Sequence, residues 1–220
     1  HLPDRAEAGR NAQRADHLIL SVENALTDRI SVRIEAYHKD YEKLKPRFEN
    51  LFDPLVVLPE LKTDRVEVAP TAGTATGVEF LIRDRSGKPW SWWLSYSLAD
   101  ADERVDGRDA PRSWEQYHAL SGGIGWTRGP WDLALAGTWH TGWPTTPATL
   151  GPGVDPEVII GERNSTTLED FQSIDFRVAY TFTLEDSELL AFVELTNMFG
   201  LKNPCCVEYM VREAEDASAY

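Results

Sequence analysis

Residues 113–147, SWEQYHALSGGIGWTRGPWDLALAGTWHTGWPTTP, read as two long β-strands joined by the short turn Thr127-Arg128-Gly129-Pro130. From Trp131 the chain alternates: Trp131, Leu133, Leu135, Gly137 and Trp139 fall on one face, and Asp132, Ala134, Ala136, Thr138 and His140 on the other. A side-chain period of two belongs to a β-strand with unlike faces. The apolar row begins and ends in Trp. In a soluble sandwich the aromatics more often sit mid-strand under the opposite sheet. Trp at both ends suits a strand that faces lipid, with an indole at each water interface. The preceding strand agrees, setting Leu120, Gly122, Ile124 and Trp126 against Ser121, Gly123 and Gly125. The hairpin reads as transmembrane β-barrel wall.

The rest of the chain repeats the pattern. Strands are expected at about 14–26, 30–41, 76–85, 90–98, 115–126, 131–140, 171–183 and 188–199. Residues 18, 20, 22 and 26 carry Leu, Leu, Val and Leu on one face of the first. Ile174, Phe176, Val178, Tyr180 and Phe182 oppose Ser173, Asp175, Arg177, Ala179 and Thr181 in the seventh. A slip of one residue there would turn Arg177 to lipid at about 2–4 kcal/mol near the midplane, so alternation sets the register. Connections one, three, five and seven are short. The second, fourth and sixth, about 42–73, 101–112 and 141–170, are long outer loops, the asymmetry of bacterial outer-membrane barrels. The expected fold is all-β: an antiparallel up-and-down transmembrane β-barrel wall of about eight strands, a partial ring.

Composition narrows the function. No run of about 18 apolar residues exists, which excludes membrane helices and leaves a barrel open. The net charge of -14 speaks against nucleic-acid binding, which wants Lys and Arg. Cys205 and Cys206 are adjacent, a vicinal pair too strained for an ordinary structural staple, and no histidine nearby completes a metal motif; they read as two loop cysteines, open to a local disulfide. No metal and no cofactor are expected. Gly73-Thr74-Ala75-Thr76-Gly77 has the spacing of a nucleophile elbow, but Thr stands at its centre and no helix follows. The glycines of Gly122-Gly123-Ile124-Gly125 lie within a strand, where they let Trp rings or a neighbouring domain approach the wall. Glu35, Asp175, Arg177 and Glu194 fall on the polar face and read as lumen-facing charges suited to cross-strand pairing. No enzyme activity is expected.

Pro111-Arg112-Ser113-Trp114-Glu115-Gln116-Tyr117-His118-Ala119-Leu120 is a strand-entry pattern after an outer loop. Trp139-His140-Thr141-Gly142-Trp143-Pro144-Thr145-Thr146-Pro147 is a strand exit, and Phe192-Val193-Glu194-Leu195-Thr196-Asn197-Met198-Phe199 with Asn203-Pro204 looks like a penultimate strand. Together, over about residues 15–211, they resemble the C-terminal part of the barrel of TonB-dependent outer-membrane receptors. The family's plug domain and TonB-contacting segment have no counterpart here, and residues 212–219 do not read as a closing strand. The family barrel is of the 22-stranded type. Residues 1–220 are thus expected to be one segment of a larger wall, a fragment or processed chain, with two open edges and little tendency to fold alone. The resemblance implies uptake of a bulky nutrient (siderophore, cobalamin or glycan) at the bacterial outer membrane. The implied partners are lipid, the plug domain, the TonB complex and the extracellular ligand. The ligand would meet Trp114, His140, Trp143, Phe48 and Phe52 at the outer mouth; for Trp114 and Trp143 a place in the interfacial girdle is the better-supported reading. Two other readings stand beside it: a small complete barrel with an adhesin or structural role, and a secreted carbohydrate-binding β-sandwich.

Overall fold

The computed structural model describes residues 12–53, 57–62, 64–84, 89–152 and 157–207. Its strands are β1 (Arg14–Ala25), β2 (Ile30–Glu42), β3 (Arg47–Asn50), β4 (Arg65–Val68), β5 (Ala72–Asp84), β6 (Trp90–Val105), β7 (Arg108–Pro111) and β8 (His118–Arg128). They continue as β9 (Trp131–His140), β10 (Pro144–Thr145), β11 (Ala148–Leu150), β12 (Val158–Ile160), β13 (Thr166–Thr167), β14 (Phe171–Thr183) and β15 (Glu188–Leu195). A single 3-10 turn, Pro59–Leu61, is the only helical element among the described residues.

The long strands form one antiparallel sheet in the order β1-β2-β5-β6-β8-β9-β14-β15, with β7 hydrogen-bonded to β6. Each is thus next to its sequence neighbour among the long strands, an up-and-down path. The sheet is not closed: β1 and β15 do not pair with each other.

Register carries the alternation of each strand across the whole sheet. Val22 faces Ile34, Ile34 faces Phe80, Phe80 faces Tyr96, Tyr96 faces Leu120 and Leu120 faces Trp139. A second row runs from Trp92 through Ile124, Leu135 and Phe176 to Leu195. On the other face Glu35, Glu79, Ser97, Ala119, His140 and Phe171 line up in the same way. Among the described residues no second sheet lies against the apolar rows. Leu20 is 70% exposed and Leu135, at the middle of β9, 43%. Among the described residues Val68, Ala179 and Pro70 are buried, and no large hydrophobic side chain beyond Val68 is. A domain folded in water puts such rows inside; here they form a bare face.

Aromatic residues frame that face at both ends. Toward the tight turns stand Trp90 against Trp126, Trp131 against Tyr180, and Tyr180 against Phe182. Toward the long loops, His118 stacks between Tyr96 and Trp139 and accepts or donates a 2.8 Å bond with the Tyr96 hydroxyl. Trp131 and Trp139 are eight residues apart on β9, or about 27 Å along an extended strand.

The turns at one end are built from local chemistry. Thr27 Oγ1 accepts hydrogen bonds from the backbone N–H of Arg29 and Ile30, closing the β1–β2 hairpin. Arg128 pairs with Trp131 across Gly129-Pro130, where Gly129 has φ +59°. Most of the turn expected at Ser86-Gly87-Lys88-Pro89, with Arg85 before it, lies outside the described residues. So does Pro54 of the second connection, and so do residues 212–219.

Several expected boundaries are corrected. The third strand begins at Ala72, and the fifth begins at His118 because residues 113–117 turn into the sheet. The last ends at Leu195, beyond which Asn197 takes φ +47° and donates its backbone N–H to Asp175 and its side-chain amide to the Leu201 carbonyl. The largest correction concerns residues 101–112, which are not a loop. β6 continues to Val105, turns at Asp106-Gly107 and returns as β7. Asp106 and Gly107 both have positive φ, +52° and +77°. That is the backbone a two-residue hairpin requires, and Asp-Gly is the dipeptide that supplies it. The other two long connections also hold hairpins, β3–β4, β10–β13 and β11–β12.

Candidate functional site

The candidate site is the end of the sheet where these hairpins gather into a crown. Glu49, at the end of β3, is its hub. Its carboxylate contacts Arg47 and Arg163, and it accepts a 3.0 Å hydrogen bond from the Ser113 hydroxyl. Arg47 reaches on to Glu103 of β6, whose other oxygen lies 3.1 Å from Arg112 Nε. The Glu103 side chain is only 5% exposed, so its two guanidinium partners are what make that burial tolerable. Asn164 sits in the left-handed region at φ +51° and donates to the Pro111 carbonyl and to Ser113 Oγ. Its own N–H donates to Thr146 Oγ1, a side chain almost wholly buried. Asp64 accepts from Asn50 Nδ2 and from the Phe52 N–H, closing the β3–β4 hairpin. The three long connections are thereby one ionic body.

These groups show the electrostatics of the knot. Burial pushes the Glu49 carboxyl up, but Arg163 and Arg47 outweigh it and hold the group below its ordinary value. Burial lowers the Arg47 guanidinium, and Glu103 and Glu49 more than reverse it. Glu115 behaves in the opposite way. Burial, with Asp100 and Asp102 close by, pushes it up to about 7, against a 2.6 Å hydrogen bond donated by the Ala101 N–H.

The residues expected at the mouth are scattered through this crown. His140 is buried, its ring parallel to Phe171 at 4.8 Å and stacked on Trp143 at 5.8 Å, with Nδ1 2.8 Å from the Thr141 carbonyl. Trp143 lines a small enclosed pocket with Phe52, Leu168 and Cys205, and its indole N–H has no hydrogen-bond partner. Cys205 and Cys206 are disulfide-bonded, and the next residue, Val207, donates its N–H to the Phe52 carbonyl. His140, Trp143 and Phe52 are thus neighbours inside the crown. Phe48 is outside them, exposed, with the Arg65 guanidinium 4.9 Å above its ring. Trp114 is exposed and stands at φ +69°.

Glu35, Asp175, Arg177 and Glu194 do share the polar face. Arg177 and Glu194 are cross-strand partners at 3.9 Å. Glu35 instead contacts Arg33 of its own strand, and Asp175 accepts from Ser173 Oγ and the Asn197 N–H. On the same face Trp93 lies over Gly123, where an added Cβ would fall 2.9 Å from Trp93 Nε1. The glycine makes room for the indole. No group of three His, Cys, Asp or Glu residues among those described is arranged to hold a metal ion.

Sequence reasoning passed over Arg47, Glu49, Glu103, Arg112 and Arg163. The one sequence-level hint was their sign: Arg47, Arg112 and Arg163 are cations in the long connections of a chain with net charge -14. No protein-family model matches the chain, and no curated protein matches it.

Proposed function

We propose that the chain forms part of the barrel wall of a TonB-dependent receptor in the bacterial outer membrane, taking up a bulky nutrient of siderophore, cobalamin or glycan type. The observation that carries this is the bare apolar face. It runs unbroken over every long strand, and aromatic residues bound it at both ends. Tilted by some 35–45°, the roughly 27 Å between Trp131 and Trp139 projects to about 19–22 Å, approaching the apolar band of about 25 Å in outer-membrane barrels. The opposite face is polar and charged, as a wet lumen is. Unpaired edges at β1 and β15 fit a wall continued by further strands. The resemblance over residues 111–120, 139–147 and 192–204 supplies the family. In this reading the crown is the extracellular mouth, and a plug domain, the TonB complex and lipid are the partners.

The test is insertion of the full chain into liposomes of brominated phosphatidylcholine. Tryptophan emission should be quenched by bromines near the interface, through Trp90, Trp126, Trp131 and Trp139. A chain that stays monomeric and folded in buffer, with no quenching, overturns the membrane reading in favour of a soluble β-protein.

A further inference from the structure

Beside the ionic knot, on the polar face, lies a cleft of about 330 Å³. Its floor is small: Gly73, Ala75 and Ala101. Tyr41 and Leu44 form one wall, and Arg47, Glu103 and Arg112 the other. The volume is at the lower end of small-molecule sites. Three arginines, Arg47, Arg112 and Arg163, stand in the knot against two carboxylates, Glu49 and Glu103, which leaves it one positive charge. Lys45 lines the cleft as well. Asp102 also borders the cleft, but register puts its side chain in the row of Thr74, Asp40 and Asp16 on the other face.

Arg112 decides what can bind. Glu103 engages its Nε, the guanidinium is half exposed, and its terminal nitrogens meet no acceptor among the described residues. Glu103 pairs with one edge of a planar fork that is half exposed and borders the cleft. Such a fork pairs with a planar oxyanion through two parallel hydrogen bonds. Leu44 and the Tyr41 ring give an organic body something to lie against, which bare phosphate would not use.

We propose that this cleft is a recognition site for a small organic carboxylate, held bidentately by Arg112. It rests on the reading of the crown as a ligand mouth and narrows its ligand class to anions. The probe is tricarballylate, a tricarboxylate that needs no metal, titrated calorimetrically into the full chain in detergent micelles at low salt. Inorganic phosphate and glucose serve as the other arms. Tricarballylate should bind saturably, more weakly as salt is raised, and Arg112→Gln should weaken it at least tenfold with Arg112→Lys in between. Arg112→Gln leaves the buried Glu103 with Arg47 alone, so affinities are compared only under conditions where circular dichroism shows the sheet of each variant folded, and Arg112→Lys, which keeps the charge, separates loss of the fork from loss of the fold. Unchanged affinity in Arg112→Gln overturns the site, as does phosphate binding without tricarballylate, or no binding by a chain that inserts into liposomes. That last result leaves the wall assignment standing, whereas a chain soluble without detergent removes the wall assignment and not the cleft.

Discussion

The wall and the crown are made from one chain by different forces. In the wall, period-two alternation and backbone ladders do nearly everything; side-chain contacts are sparse, and its long ion pair, Arg177–Glu194, is exposed. In the crown, strands are two to four residues long, and side-chain charges at wide sequence separation hold the hairpins together. The wall depends on the solvent around its apolar face. The crown depends on individual side chains.

The largest expected effect tests the wall. Leu135→Arg puts a charge at the centre of the apolar face and should cost about 2–4 kcal/mol in a reversible folding titration in lipid. Ala136→Ser, one residue away on the polar face, should change stability by no more than about 0.5 kcal/mol. Equal effects would erase the distinction between faces.

Arg163→Ala addresses the crown. It leaves Glu49 with Arg47 as its one cation and the Ser113 hydroxyl, and should cost about 2 kcal/mol, since a partly buried charge loses a partner. Hydrogen exchange at Leu51, Phe52 and Asn164 should quicken by roughly 30-fold while the β8–β9 ladder is unchanged.

Acidity acts on the crown with two signs. Glu49 has a lowered value, so its contribution is present above the ordinary carboxylate range and is lost as pH falls through that range. Glu115 is raised to about 7, so the folded crown binds more protons than the unfolded one between about 4.5 and 7, and stability falls as pH rises across that window. Glu115→Gln should abolish this loss across that window, at most about 1 kcal/mol once solvent screening is counted. Proteolysis of the crown loops at pH 5.5 and pH 8 reads it: the variant should be cut equally slowly at both.

The smallest effect belongs to the exposed wall pair. Glu194→Gln should shift the folding midpoint by less than about 0.5 kcal/mol, and less still in high salt.

How much was legible follows the same division. The faces of β9 and β14 could be read because alternation is a local property, and a one-residue slip would move every side chain to the wrong side. The β6–β7 hairpin was also readable: Asp106-Gly107 between Val105 and Arg108 is a strong turn signal, outweighed in the sequence reading by the polar character of residues 101–112. His140 was expected to meet a ligand, and the end of β9 is where alternation puts it, yet its burial against Phe171 and Trp143 depends on how residues 141–170 fold back, which no periodicity encodes.

Alternation in the sequence thus determined an all-β chain, its two unlike faces and the up-and-down order of its long strands, because each of these repeats every two residues or follows from short connections. The tertiary structure alone decided that Glu49 meets Arg163 across 114 positions and that Arg47 meets Glu103 across 56. Ion pairs between loops leave no local pattern: any Arg suits any Glu until the backbone brings one particular pair together.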